Sequence, residues 1–207
     1  MTISAIEVNR LKQAPAADGV LPAVLARWSP RSFADRDVNP ADLRKVFEAA
    51  RWAASSFNEQ PWRFIVGLRN SLTYKKIFSA LVGFNQSWAG AAPVLILGVT
   101  KTKFSHNNAD NRVALYDLGA AASYLTLQAA ALGIATHQMA GFDQAAARQA
   151  FEIPEDCAFG SVIALGYQGE PSALPHPDMI AQEVAPRTRK PLSEFVLSSW
   201  DQPANLG

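Results

Sequence analysis

The sequence predicts a mixed α/β or α+β domain. Three observations carry that prediction: helical and strand patterns interleave along most of the chain, the apolar, β-branched run PVLILGVT from Pro93 has the character of a central strand, and 207 residues at 49% hydrophobic can bury a full core. One domain over residues 1–207 follows as the default.

Taken in order, NPADLRKVFEAARWAASS reads as a helix. Asn39 can cap it, Pro40 sits where a missing N–H is harmless, and Leu43, Val46, Phe47 and Ala50 repeat at helical spacing. In PWRFIVG, Phe64, Ile65 and Val66 form a short buried strand, and a helix follows around Ser71 to Ala80. After the central strand, polar FSHNNADN is a loop. The segment Arg112 to Leu132 is the longest helix, and its small residues Gly119 to Ser123 allow another helix backbone to come close. Gly133 ends it as a C′ glycine. IATHQM is a strand, FDQAAARQAFEI a helix that stops before Pro154, and FGSVIALGYQ a further strand. From Gly169 onward the chain is proline-rich and is expected to run as an extended, wrapping arm.

Composition narrows the function. A formal net charge of +1 gives no long-range field for nucleic acid or an anionic membrane surface, so any anion must be held locally. Cys157 is the only cysteine, which excludes an internal disulfide and a multi-thiolate metal site. His106, His137 and His176 have no ligand spacing, and no P-loop, G-x-G-x-x-G, H-E-x-x-H or G-x-S-x-G is present. The start MTISAIEVNR lacks signal-peptide order, and no apolar run approaches the roughly 20 residues that span a bilayer. A soluble, cytoplasmic protein is expected.

What remains is a set of arginines and hydroxyls without a nucleophile. ARWSPRSF holds Arg27, Ser29 and Arg31 within five residues; guanidinium forks and a hydroxyl suit phosphate, although such a cluster can equally cover a helix end. SSFNEQPWRF places Ser55, Ser56 and Asn58 between a helix and a strand, HQMAGFD ends a strand in a glycine turn, and PRTRKPL adds Arg187 and Arg189.

Together these stretches resemble the nitroreductase-like FMN-dependent oxidoreductases. The resemblance runs through R-x-S-x-R, S-S-x-N-x-Q-P-W, N-Q-x-W-x-x-x-A-P-V from Asn85 to Val94, the small-residue helix, the G-F-D turn and the late R-x-R. It implies a three-layer α/β/α fold, with a central mixed sheet flanked by helices and a C-terminal arm that reaches a partner subunit. It further implies that Arg27, Ser29, Arg187 and Arg189 surround the phosphate end of FMN with Trp28 alongside. Arg31 would face N1 of the ring, where the reduced form carries negative charge. Backbone N–H groups of the Met139, Ala140 and Gly141 turn would reach N5 and O4, and Ser55, Ser56 and Asn58 would complete the site of the other subunit in a homodimer. The implied activity passes electrons from NADH or NADPH through flavin N5 to a small electron-poor acceptor such as a nitroaromatic, quinone or activated alkene, and no protein acid or base is assigned. Reductive dehalogenation, consumption of the flavin itself, and flavin storage or regulation with little turnover are the alternatives. Two positions depart from the common pattern: Ala140 stands where many members are acidic, and Trp28 where a basic residue or histidine often follows the first arginine. Beyond the motifs, Trp88, Phe84 and Cys157 are expected in the core, His106 and Asn107 on a solvated loop, and His137 is a candidate neighbour of the cofactor.

Overall fold

A computed structural model describes residues 3–15 and 18–206. The first half contains helices α1 (Ala5–Lys12), α2 (Pro22–Ala26) and α3 (Pro40–Arg51), strand β1 (Trp62–Leu68), helices α4 (Leu72–Ala80) and α5 (Gly83–Ala89), and strand β2 (Val94–Lys101). The second half contains α6 (Ala114–Ala131), β3 (Ala135–Met139), α7 (Gln144–Phe151), β4 (Cys157–Gly166), α8 (Pro177–Val184), β5 (Leu197–Ser199) and β6 (Gln202–Pro203). Local chemistry sets the boundaries. Asn39 accepts from the Ala41 N–H at the start of α3, and Gly133 takes φ +71° beyond the end of α6.

Strands β1, β2, β4 and β3 lie side by side in that order. Period-2 alternation then divides the core between two faces. Leu95, Leu97, Val162 and Ala164 pack with α4, α5 and α7 on one side, while Val94, Ile96, Ile163 and Leu165 pack with α3 and α6 on the other. Each fully buried leucine or isoleucine contributes about 1.5–3 kcal/mol, so β2 and β4 anchor both layers. The result is the expected three-layer α+β architecture. No helix among the described residues is long and apolar enough to cross a membrane.

Three expectations need correction. The sheet was expected to be mixed, yet each pairing within the chain is antiparallel: Val94 opens β2 opposite Leu68, the last residue of β1, while α6 carries the chain back so that β3 enters opposite Gly166, at the end where β2 began, with β4 between them. The tail is not extended throughout. Pro177 starts α8 in the first turn, where its missing N–H costs nothing, and β5 pairs with β6 as a hairpin. Phe84 is 55% exposed on the outer side of α5, whereas Trp88, one turn on, is 3% exposed. Cys157 is half-buried, its thiol pushed up mainly by desolvation and then by Asp156.

Candidate functional site

Arg27 caps the end of α2 with extended backbone angles, and Pro30 carries the chain away. Its guanidinium Nη1 lies 3.5 Å from Ser29 Oγ. The late arginines return to the same place: Arg187 donates through both terminal nitrogens, at 2.6 Å each, to the Arg27 and Leu25 carbonyls. Burial, then the charge of Arg189, pushes Arg27 below its usual range; Arg187 is pushed down by burial, then by Arg189 and Arg27. Among the described residues no carboxylate pairs with any of the three. Leu25, Pro186, Arg187 and Arg189 line part of a cavity of about 610 Å³. This is a concentration of like charge without a counterion, suited to an anion.

The Trp28 ring turns away from that set. Its Nε1 donates to Asn9 Oδ1 at 3.0 Å and Lys12 Nζ lies 4.8 Å over the ring, so the side chain docks on α1. Arg31 goes the other way: Nη1 donates to Gln182 Oε1 at 3.0 Å, the guanidinium lies 5.6 Å from the Phe84 ring centre, and the buried Nε has no partner. His137 closes the underside of the loop. Its Nδ1 is 3.0 Å from the Pro30 carbonyl and its ring 4.6 Å from Trp88. Desolvation pushes its pKa down.

The turn after β3 is held by α5. Asn85 Nδ2 donates to the Gly141 carbonyl at 2.9 Å, and the Val82 N–H donates to the same oxygen at 3.1 Å. A Cβ on Gly141 would meet Asn85 Nδ2 at 2.8 Å, which explains glycine there. Met139 is buried and Ala140 exposed. Asn85 was not singled out from the sequence as a site residue, although the N-Q-x-W run containing it was. Through Phe84, Asn85 and Trp88, α5 joins Arg31, the Gly141 turn and His137 into one constellation.

Ser55, Ser56 and Asn58 lie elsewhere. Ser55 Oγ accepts from the Gln60 N–H, Asn58 Oδ1 accepts from Gln60 Nε2, and the Ser56 N–H donates at 3.2 Å to the buried Asp117 of α6. Phe57, Asn58 and Gln60 all have φ near +50°, a cost paid to turn the Phe57 ring outward, 83% exposed, against Phe104 and His106. His106 is therefore part of an aromatic cluster and not simply solvated. Arg27 belongs to a cleft that includes Ala130, near the far end of α6 from Asp117. Thirteen residues of helix separate Asp117 from Ala130, roughly 20 Å. Within one chain the Arg27 group and the Ser55–Asn58 group thus lie toward opposite ends of α6, apart from the Arg31 and Gly141 constellation gathered by α5.

The Nitroreductase family profile matches residues 24–83 and 69–167. An Archaeoglobus fulgidus protein described as "Putative NADH dehydrogenase/NAD(P)H nitroreductase" is 32% identical over 151 residues, covering 71% of this chain and 84% of its own. A Thermus thermophilus NADH dehydrogenase is 27% identical over 206 residues, covering 84% and 93%. Among solved structures, an oxidoreductase containing FMN superposes with a TM-score of 0.83 at 30% identity, covering 89% of this chain and 94% of that one. With its profile match, its relatives and its fold in agreement, this chain belongs to the nitroreductase family.

Proposed function

We propose that the chain is an FMN-dependent NAD(P)H oxidoreductase acting on small electron-poor acceptors. The observation that carries the reading is the meeting of Arg27, Arg187 and Arg189 without a counter-carboxylate among the described residues. Three guanidinium groups suit one terminal phosphate, and no dinucleotide glycine fingerprint is present for a pyrophosphate. The donor set fits FMN in a second respect. The phosphate-binding arginines lie near the start of β3 and the Gly141 turn at its end, roughly 15 Å apart, so one elongated molecule can touch both.

Bound there, FMN supplies a ring that takes electrons from NADH or NADPH and gives them to a nitroaromatic, quinone or activated alkene. The chain supplies placement and charge. Arg27, Ser29, Arg187 and Arg189 hold the phosphate; Arg31 offers its unpartnered Nε and positive charge to the ring edge where negative charge collects on reduction. The turn at Ala140 and Gly141, fixed by Asn85, presents backbone donors.

The functional unit in this reading is a homodimer. Tyr116, Gly119 and Ser123 form an exposed stripe along α6, and a Cβ on Gly119 would meet nothing within 4 Å, so a second helix can approach there. A partner packed on that face would bring its Ser55–Asn58 group toward the distant arginine group. The test is an anaerobic titration of the purified protein with NADH and NADPH, then a panel of acceptors, with chromatography of the heat-released chromophore. FMN release and acceptor turnover are expected. A protein that releases FAD, or cannot be reconstituted with FMN, would overturn the reading.

A further inference from the structure

Helix α8 contains a buried carboxylate that no role above uses. Glu183 is 2% exposed and accepts from the Arg31 N–H at 3.0 and 3.1 Å, the Ser32 N–H at 3.0 Å and the Ser32 hydroxyl at 2.7 Å. The Arg31 and Ser32 N–H groups can only donate to it, and the Ser32 hydroxyl is shared between Glu183 and the Gly169 carbonyl at 3.0 Å. Its neighbour Gln182 accepts from Arg31 Nη1 and, through its backbone carbonyl at 3.1 Å, from Lys12 Nζ. Lys12 is itself only 6% exposed. One turn of α8 therefore holds both the backbone and the guanidinium of Arg31.

A buried charge on this scale costs several kcal/mol to desolvate, and backbone N–H groups can be satisfied by neutral acceptors. Its placement behind a cation that faces the cofactor gives it another consequence. We infer that Glu183 is a positioning and charge-setting residue: it locks the Arg31–Ser32 backbone, and its negative charge limits how strongly Arg31 favours the reduced flavin. The inference rests on the FMN reading. In a low-dielectric surrounding, removing that charge leaves Arg31 less compensated, and a ring that gains negative charge on reduction is bound more tightly in that state.

The test compares the affinity of the holoenzyme for reduced and for oxidised FMN. Glu183→Gln keeps an acceptor for the loop and removes the charge, so the ratio of reduced to oxidised affinity should rise by roughly threefold or more. Gln182→Glu adds a charge beside Arg31 from a more exposed position and should lower the ratio. A purely structural contact would weaken both redox forms alike and leave the ratio unmoved. An unchanged ratio in both variants overturns the inference; should Glu183→Gln fail to fold, Gln182→Glu decides it alone. A wild-type protein that binds no FMN defeats the cofactor reading instead. Amide exchange in the apo-protein separates that failure: Arg31 and Ser32 N–H groups should be protected in the wild type and lose protection in Glu183→Ala, and absence of that loss removes the positioning role.

Discussion

Asn85 and Gly141 meet across the gap between α5 and the turn after β3, with the side-chain amide 2.9 Å from the glycine carbonyl. The two residues depend on each other, since an added Cβ at position 141 would come within 2.8 Å of that amide and 3.0 Å of Val82 Cγ2. Gly141→Ala should displace Asn85 and cost about 1–3 kcal/mol of stability, in the range of an overpacked site. Asn85→Ala should cost less, about 0.5–1.5 kcal/mol, because the Val82 N–H still serves the carbonyl. Urea unfolding of the two variants checks the order, and both should bind FMN more weakly than the wild type.

The arginine set makes opposite predictions for its members. Among the described residues Arg189 donates only to the adjacent Thr188 carbonyl, while its charge opposes Arg27 and Arg187. Arg189→Gln should leave the apo-protein at least as stable as the wild type, and weaken FMN binding by roughly ten- to a hundredfold, the worth of a charge-assisted bond. Arg187→Gln should destabilise the apo-protein as well, because the Leu25 and Arg27 carbonyls lose their donor. Thermal melts with and without inorganic phosphate separate the two effects: phosphate should raise the wild-type melting temperature and have little effect on Arg189→Gln.

His137 predicts a pH dependence. Burial, the largest influence, holds its pKa below the ordinary 6.5; Arg31 acts in the same direction and the Pro30 carbonyl and Glu183 oppose it. The unfolded chain therefore binds this proton first as pH falls. Between the ordinary value and the lower folded one, the unfolded state holds more protons, and stability declines as pH drops below about 6.5. The slope from this group is at most about 1.4 kcal/mol per pH unit. His137→Gln should flatten the decline, measured as urea midpoints at neutral and mildly acidic pH; an unchanged decline would assign it to other groups.

The separation of the two residue groups along α6 gives a complementation test for the dimer. A subunit carrying Arg27→Ala and Arg189→Ala loses its phosphate group, and a subunit carrying Asn58→Asp damages the contribution from the other end of the helix. In a shared-site dimer both lesions fall in one site of the heterodimer, so mixing should restore up to one intact site per dimer. Flavin fluorescence of the mixed sample reports it. No recovery, or a monomer by light scattering that retains FMN, would contradict composite sites.

The sequence determined most of the elements and the family. Asn39, Pro40 and Gly133 marked helix ends through local hydrogen bonding and backbone freedom, and the run from Val94 marked the central strand through uninterrupted burial. The order of the short motifs carried the family because each motif is read within a few residues. The tail was harder to read. Six prolines punctuate it, while α8 owes its position to Met179 in the core and to Glu183 beneath the Arg31 loop, the latter a contact 152 residues away in sequence. Only the tertiary structure decided that Arg187 binds the Arg27 and Leu25 carbonyls, that Trp28 turns to α1, that Asn85 holds Gly141, and that Ser56 docks on Asp117 of α6. Those are relations between distant segments, set by which strands pair and which helix faces are buried, and periodicity within a segment carries no information about them.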